Sequence, residues 1–280
     1  MSRAEADSQI AGPAKLLWTG GWDSTYRLLE LVLLHQRAVQ PFYISLKRQS
    51  ADIELRAMKQ IKQQIFAAHP ETRSRILETI FVEAANIPSR PDAWAALLRL
   101  REMGGTRRVG SQYYDFAAAA EHLGLDQLEL GIHAEEGSFW YDRLKSNVES
   151  KDGVCRLVAE PDLEELEIFK RFAFPLLTLS KKDMAAKAEL AGFSFILDST
   201  WFCHRPDRRG RPCGFCAPCR LTMKEGLERR IPRVNRIKHR LLWPMITAIA
   251  KHRPRHRFRR IWQEARRLVK RAPRPRLPHL

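Results

Sequence analysis

Leu16-Leu17-Trp18-Thr19-Gly20-Gly21-Trp22-Asp23-Ser24-Thr25-Tyr26 is the stretch of the chain that decides the fold. A short apolar run enters two glycines, and a polar triplet then leads into a helical pattern, so the stretch predicts a strand, a turn and a helix. Glycine lets the backbone approach a ligand closely, and the N–H groups that begin a helix attract anions. The stretch therefore predicts a phosphate site at a strand-to-helix turn. A turn that only joins the two elements and binds nothing is the alternative.

Two common phosphate motifs are absent from this stretch. No Gly-Lys-Ser/Thr follows the turn, as it would in a Walker loop, and no GxGxxG is present for a dinucleotide. Ser24 and Thr25 are expected to cap the helix and to donate hydroxyl groups, while Asp23 is expected to hold Mg²⁺ or to orient a donor.

Charge is distributed unevenly along the 280 residues. From Arg229 to the end there are 18 Lys or Arg against one acid, Glu264, which gives +17 and accounts for the whole net charge. The hydrophobic fraction of 44% is ordinary for a soluble globular protein. No apolar run approaches the ~20 residues that cross a membrane, and the polar first nine residues do not resemble a secretory signal. We therefore expect a cytoplasmic enzyme with a neutral body and a basic tail.

Strands and helices are predicted to alternate along the body. The predicted strands are 15–18, 39–46, 76–82, 127–132 and 195–197, and the predicted helices are 24–36, 52–68, 92–102, 111–123, 162–169 and 181–191. This alternation predicts an α/β fold with a doubly wound parallel sheet. Ligands of such sheets bind beyond the carboxyl ends of the strands, where Gly20-Gly21 and the segment from Gly131 to Glu136 both fall.

Four of the five cysteines lie close together in the sequence, with the spacing C-x9-C-x2-C-x2-C. They are Cys203, Cys213, Cys216 and Cys219. Four thiolates leave no open position on a tetrahedral ion, so we expect a structural Zn²⁺ that closes a loop. An iron–sulfur cluster or redox cysteines are the alternatives. Cys155 remains outside the cluster and is expected to be inert.

Thr-Gly-Gly-Trp-Asp-Ser-Thr at 19–25 resembles the Ser-Gly-Gly-x-Asp-Ser signature of PP-loop ATP pyrophosphatases, with Thr19 in place of the usual serine. Together with Phe-Pro-Leu-x-x-x-Ser-Lys-Lys-Asp at 174–183 and the late cysteine motif, it resembles the 7-cyano-7-deazaguanine synthase family. The resemblance covers about the first 230 residues. It implies an adenine nucleotide alpha hydrolase-like PP-loop fold, with an adenylating domain over 1–230 that includes the zinc motif 203–219, and a basic helical extension over 231–280.

The activity that the resemblance implies is an ATP-dependent C–N ligation that forms AMP and pyrophosphate. The carboxylate of 7-carboxy-7-deazaguanine, or of a similar deazaguanine, would be adenylated and then attacked by an amine, to give an amide or the nitrile. ATP, Mg²⁺ and structural Zn²⁺ would take part. Catalytic roles would fall to Asp23, Ser24 and Lys181. The ATP-binding residues would be Thr19, Gly20, Gly21, Asp23, Ser24, Thr25 and Gly131. For Lys181, a solvated lysine in the first helical turn is the alternative.

The second substrate's site departs from the family pattern. Members usually carry Pro-Gly-Arg-Asn where this chain reads Val109-Gly110-Ser111-Gln112, and an Asp followed by Pro-Asp-Cys where it has Glu135-Glu136 and, later, Asp142. Glu136 and Asp142 are expected to bind the guanine-like edge, since a carboxylate pairs with an N1–H and an amino group. A merely solvated acidic loop is the alternative. His133 is expected to be a loop or core residue and not a base.

These departures suggest a divergent member. Because such relatives are associated with bacterial antiviral defence, one hypothesis is that the activated deazaguanine is conjugated to an amine of a protein or a nucleic acid. The basic extension 231–280 is expected to bind nucleic acid, an acidic protein partner or subunit, or an anionic membrane surface. A homodimer is also considered. The rival functions are a PP-loop tRNA-modifying enzyme and a non-catalytic subunit that binds nucleotide or nucleic acid.

Overall fold

The structure is a computed structural model, and it describes residues 12–46, 50–104, 109–134 and 138–251. Within them the chain forms two compact units, Met1–Pro206 and Asp207–Leu280, and each is considered by itself. The predicted division into 1–230 and 231–280 stays a prediction. The amphipathic helix that the sequence suggests over 257–270 lies outside the described residues.

The first unit is a seven-stranded sheet with helices. Its strands are β1 (Ala14–Leu17), β2 (Val39–Ser45), β3 (Ile80–Glu83), β4 (Leu128–Glu129), β5 (Val148–Lys151), β6 (Val154–Leu157) and β7 (Phe172–Phe174). Its α-helices are α1 (Trp22–Leu29), α2 (Ala51–Ala68), α3 (Pro91–Met103), α4 (Gln112–His122), α5 (Phe139–Ser146), α6 (Lys181–Leu190) and α7 (Ser194–Leu197). Helix α1 continues as a π-helical turn over Glu30–Leu34, and short 3₁₀ turns lie at Pro70–Ser74, Ala84–Asn86 and Glu164–Phe169.

The order of the strands places the predicted phosphate turn at the centre of the sheet. The strand order is β3-β2-β1-β4-β7-β6-β5. Neighbours from β3 to β7 pair in parallel, whereas β6 pairs antiparallel with β7 and β5 antiparallel with β6. The chain leaves β1 toward β2 on one side and returns as β4 on the other, so β1 and β4 flank the switch point where such sheets bind ligands. The α/β fold class is confirmed.

The core of this unit lies on the sheet, where apolar strand residues meet the helices that cover them. Leu128 and Phe174 are fully buried along the central strands, and Leu97 and Leu100 of α3 pack into the same core. Strands buried on both faces read as continuous apolar runs and not as alternating patterns, which is why β1, β2 and β4 were recognisable from sequence.

The predicted last strand at 195–197 is wrong, since these residues belong to the short helix α7. Phe193 and Ile196 are three residues apart and both fully buried, which is the spacing of a helix. A short apolar run does not distinguish a strand from a buried helical turn. The strand next to β4 is instead β7, a segment for which the sequence analysis predicted neither a strand nor a helix.

The second unit contains the loop that carries Cys213 and Cys216, called the cysteine loop below, and two helices, α8 (Ala217–Lys224) and α9 (Arg233–Lys251), with a 3₁₀ turn at Glu228–Arg230 between them. Buried Asn235 of α9 donates from Nδ2 to the carbonyl oxygen of Pro212, at 2.8 Å. The part of the basic extension that the structure describes is therefore helical and tied to the cysteine loop.

Candidate functional site

The turn after β1 is shaped by Gly20. Its φ is +68°, and a Cβ added there would lie 2.9 Å from Cγ of Met58. The carbonyl of Gly20 accepts a hydrogen bond of 2.8 Å from the backbone N–H of Trp201. Because an L side chain is disfavoured by both the backbone conformation and the contact, this position requires glycine.

Helix α1 begins earlier than the sequence suggested. It starts at Trp22 with Gly21 as its N-cap, and no side chain caps it, so the prediction that Ser24 and Thr25 cap the helix is wrong. Ser24 Oγ instead accepts from the N–H of Thr19 at 3.4 Å and donates to the carbonyl of Gly21 at 3.3 Å. The N–H groups of the first turn are thus left without a side-chain cap, which suits an anion.

Thr25 is fully buried, and its Oγ1 accepts a hydrogen bond of 3.0 Å from Nε1 of Trp18. Its hydroxyl therefore ties the end of β1 to the start of α1. A direct contact of Thr25 with ATP stays a prediction.

Asp23 is held between two side chains from distant parts of the sequence. Lys181 Nζ donates to Asp23 Oδ1, and His133 Nδ1 lies 3.5 Å from the same oxygen. Burial alone would raise the pKa of Asp23, but the charges of Lys181 and His133 outweigh it and hold that pKa below its usual value. Asp23 is thus an ionised carboxylate at neutral pH. The structure also places His133 at this site, as a partner of Asp23 and not as a remote loop residue.

Lys181 is placed by the start of helix α6. Ser180 caps this helix and forms a capping box with Asp183, so the first helical residue has a fixed position. The ammonium of Lys181 lies 4.5 Å from the ring centroid of Trp22 in addition to its bond to Asp23. Its side chain is only 12% exposed, so the alternative of a solvated lysine does not describe it.

Gly131, just after β4, lies against the first turn of α1. A Cβ added there would lie 3.1 Å from Cβ of Asp23 and 3.2 Å from the backbone nitrogen of Ser24. A side chain at 131 would therefore occupy the space beside the first turn of α1. Glycine at this position keeps that space open for a ligand.

An open cavity of about 230 Å³ adjoins this turn. The cavity is lined by the turn itself, by the carboxyl ends of β2 and β4, by residues of α2 and α4, and by the segment after α7. The lining includes Thr19, Gly21, Asp23, Ser24, Tyr43, Glu54, Gln112, Tyr113, Phe116, Gly131, Trp201, Phe202 and His204. The predicted phosphate turn thus opens into a cavity with both aromatic and polar walls.

Several lining residues were missed by the sequence analysis. Glu54 accepts from Tyr43 Oη at 3.0 Å and from Ser50 Oγ at 2.6 Å. Gln112 lies in the segment where the family pattern is altered, while Trp201 and His204 lie on either side of Cys203, the first residue of the cysteine motif. Their nearness to those two motifs is the only sequence signal that would have pointed to them.

The structure describes only one of the two carboxylates that were predicted to bind the substrate. Glu136 lies outside the described residues. Asp142 is exposed on α5, while its neighbour Tyr141 is buried and donates to the carbonyl of Leu177 at 2.7 Å. A role for either carboxylate in substrate binding stays a prediction.

A buried network of ion pairs, which the sequence did not predict, connects α1 to β4. Arg27 donates to both carboxylate oxygens of Glu129, at 2.7 and 3.0 Å, and to Glu30 at 2.6 Å. Glu129 lies on β4 and Arg27 on α1, so the network joins the helix that follows the phosphate turn to the strand that pairs with β1.

The four clustered cysteines are brought together. One sulfur from each of Cys203, Cys213, Cys216 and Cys219 lies within 4.8 Å of the others. The N–H groups of Phe215 and Cys216 both donate to the sulfur of Cys213 at 3.3 Å, as expected around a thiolate ligand. This donor set fits a tetrahedral Zn²⁺.

No helix in the described part of the chain combines the length and the apolar character needed to span a bilayer.

Residues 113–230 match the family described as "QueC: Queuosine biosynthesis protein QueC". The chain is 33% identical to the 7-cyano-7-deazaguanine synthase of Campylobacter hominis over 108 residues, 39% of this chain and 45% of the relative. It is 32% identical to that of Xanthomonas euvesicatoria over 102 residues, 36% and 44% of the two chains, and 28% identical to that of Magnetococcus marinus over 115 residues, 41% and 49%. The chain spans about half the length of the curated relatives it matches. These matches show that the chain is similar to QueC and to the 7-cyano-7-deazaguanine synthases over about two fifths of its own length.

Proposed function

We propose that the chain is an ATP-dependent ligase that adenylates the carboxylate of 7-carboxy-7-deazaguanine, or of a similar deazaguanine, for attack by an amine. The observation that carries the proposal is the ionised Asp23, paired with Lys181 beside an uncapped helix start, at the mouth of a cavity in a QueC-like chain. The turn lies outside the matched residues 113–230, so the use of ATP is argued from the geometry of the turn.

The phosphates of ATP are proposed to bind at the start of α1. Gly20, Gly21 and Gly131 keep the backbone accessible, and the N–H groups of the first helical turn point at the anion. Lys181, whose ammonium contacts Asp23 in this turn, supplies charge to the phosphate oxygens. When polyphosphate binds, the ammonium of Lys181 is shared between Asp23 and the ligand, which favours the leaving pyrophosphate.

Mg²⁺ fits the same turn, because an ionised carboxylate such as that of Asp23 is a ligand this ion prefers. When bound, the ion would neutralise charge on the polyphosphate. Asp23 is the residue that would hold it. His133 and Lys181 keep the Asp23 carboxylate oriented toward the turn.

The deazaguanine is proposed to bind in the adjoining cavity. Tyr113, Phe116, Trp201 and Phe202 line it with aromatic rings that suit a flat heterocycle. Gln112 adds an amide that donates and accepts hydrogen bonds. The substrate carboxylate would then lie between these rings and the phosphate turn.

The proposed reaction consists of two displacement steps. An oxygen of the substrate carboxylate attacks the α-phosphorus of ATP and pyrophosphate leaves; the amine nitrogen then attacks the activated carbonyl carbon and AMP leaves, giving an amide. Conversion to the nitrile would consume a second ATP, with the amide oxygen leaving on AMP. Because the family's Pro-Gly-Arg-Asn segment is replaced by Val109-Gly110-Ser111-Gln112, we include in the proposal an amine other than ammonia, belonging to a macromolecule in a bacterial defence system.

The cysteine cluster is proposed to hold one structural Zn²⁺. Four sulfur ligands fill a tetrahedral ion, so the metal would fix the loop that carries Trp201 and His204 and would take no part in bond making.

The test is mass spectrometry of reactions that contain ATP, Mg²⁺, 7-carboxy-7-deazaguanine and ammonia. We expect AMP and pyrophosphate together with a deazaguanine amide or nitrile, or with mass added to an acceptor. Lys181→Ala is expected to reduce AMP formation by roughly 10²-fold, since one charge-stabilising group typically contributes that much. Lys182→Ala is the matched control, because Lys182 is the exposed next residue of the same helix, and it should stay within about twofold.

Two results would overturn the proposal. One is the absence of AMP with every deazaguanine carboxylate and amine tried, while ATP still binds; this would favour a non-catalytic nucleotide-binding subunit. The other is an equal effect of Lys181→Ala and Lys182→Ala on AMP formation.

A further inference from the structure

Helix α9 has one face fixed against its own unit. His239 lies between the rings of Phe215, at 5.7 Å, and Trp243, at 5.4 Å, and the guanidinium of Arg220 lies 4.3 Å from the centroid of Trp243. Asn235 on the same face donates to the cysteine loop. Residues 235, 239 and 243 are four apart, so these contacts fix the rotation of the helix about its axis.

The opposite face carries a row of exposed apolar side chains. This apolar stripe consists of Val234, Ile237, Leu241, Leu242 and Met245. The spacing of three and four residues puts them on one side of the helix, over a length of roughly 16 Å at about 1.5 Å per residue. Leu241 is 67% and Met245 61% exposed. A contiguous apolar row with polar surroundings marks an interaction surface.

The charge on this helix limits what can cover the stripe. Residues 233–251 carry Arg233, Arg236, Lys238, Arg240 and Lys251 and no acidic residue. Arg236 and Arg240 pair with Glu228 outside the helix, at 3.2 and 3.5 Å. A second copy of the helix would bring like charges together, so self-pairing is disfavoured.

The position of Lys238 distinguishes between the remaining candidates for covering the stripe: nucleic acid, a membrane and a partner protein. It is exposed and lies four residues from both Val234 and Leu242, so its ammonium lies along the stripe and not on the far side of the helix. Nucleic acid would gain nothing from the apolar side chains. A membrane would have to accommodate this ammonium along the inserted face. A partner helix that carries an apolar row with carboxylates beside it would cover the apolar stripe and pair with the ammonium of Lys238.

We propose that the apolar stripe of α9 binds an acidic amphipathic helix of a partner protein. The apolar row of that helix lies along Leu241 and Met245, and its carboxylates meet Lys238, Arg233 and Arg240. The contact follows the mode in which an amphipathic helix uses anchors at i, i+3, i+4 and i+7.

The test uses the full chain and a fluorescein-labelled synthetic peptide of 21 residues, with leucine at i, i+3 and i+4 spacing and glutamate on its flanks. A scrambled peptide of the same composition is compared by fluorescence anisotropy. We expect the patterned peptide to bind at least tenfold more tightly than the scrambled one. The double variant Leu241→Ser/Met245→Ser is expected to abolish this difference. Leu190→Ser, at a 90% exposed leucine of α6, is the matched control and should retain it.

A charge exchange gives a second measurement that does not depend on the apolar substitutions. Lys238→Glu should weaken binding of the patterned peptide at least tenfold, and a peptide with lysine at the facing positions should restore part of it. Equal binding of patterned and scrambled peptides would overturn the proposal, because charge alone would then explain it. The proposal would also be overturned if the wild-type chain bound phosphatidylserine vesicles or single-stranded DNA and the Leu241→Ser/Met245→Ser variant lost that binding. The same holds if the wild-type chain formed a dimer in sedimentation experiments and this variant did not.

Discussion

Substituting Gly131 by alanine tests directly whether the turn after β1 is the phosphate site. The added methyl carbon would lie 3.1 Å from Cβ of Asp23 and 3.2 Å from the nitrogen of Ser24. Carbon atoms pack best at about 3.5–4.0 Å, so Asp23 and the start of α1 must withdraw by a few tenths of an ångström. Gly131 is not among the glycines with positive φ, so the substitution introduces no backbone strain.

A displacement of this size acts on the groups that are proposed to hold the polyphosphate. Because a misplacement of about 1 Å can reduce a rate about 10²-fold, we expect this smaller shift in Gly131→Ala to lower AMP formation by roughly 5- to 10-fold. The affinity for ATP, measured by calorimetry, should fall as well, while the melting temperature changes little.

Gly124→Ala is the matched control, because it should lower the melting temperature without changing AMP formation. Gly124 has a φ of +60° and no atom within 4 Å of an added Cβ. Alanine there costs about 1–2 kcal/mol of backbone energy, which lowers the melting temperature by a few degrees and leaves AMP formation unchanged. If Gly131→Ala kept the rate and the ATP affinity within about twofold, the assignment of the phosphate site to this turn would be refuted.

Three further predictions concern the groups that support the site. Arg27→Met leaves two buried carboxylates without their cation, so the free energy of unfolding in urea should fall by about 3–5 kcal/mol; a loss below about 1 kcal/mol would contradict the importance of this network. Purified protein should contain one zinc per chain by elemental analysis, and Cys216→Ser should remove it while Cys155→Ser should not; equal zinc in the two variants would exclude the four-cysteine site. Burial and the charge of Arg220 lower the pKa of His239, so the stability of α9 is complete above the unfolded pKa of about 6.5 and falls as the pH drops below it; His239→Phe should flatten this dependence in melts between about pH 5 and 7.5, and an unchanged slope would count against it.

The central part of the fold was predictable because its signals are local. The apolar run before Gly20, the two glycines and the helical pattern after them fix β1, the turn and α1 without reference to the rest of the chain. The same holds for α6, whose capping residue Ser180 and terminal Gly192 stand at its two ends in the sequence. The cysteine spacing likewise predicted a cluster that the structure brings together.

The antiparallel edge of the sheet was missed although part of its signal is present. β5 and β6 form a hairpin around Asp152-Gly153, and both residues have positive φ, as a two-residue hairpin turn requires. An Asp-Gly pair between two short strands is a recognised hairpin signal. The flanking strands carry Glu149, Lys151 and Arg156, however, so their hydrophobic alternation is weak, and the segment looked like a loop.

The pairing of Asp23 with Lys181 shows why a site is harder to predict than the elements that form it. The two residues are 158 positions apart, and each is placed by a local device: the glycine turn for Asp23 and the capping box for Lys181. Neither device contains information about the other. Only the order of the strands, with β4 inserted between β1 and β7, brings the turn, Gly131 and the start of α6 to one end of the sheet. Sequence motifs therefore pointed to Asp23 and Lys181 separately, whereas the contacts of Asp23 with Lys181 and His133 follow from the sheet order.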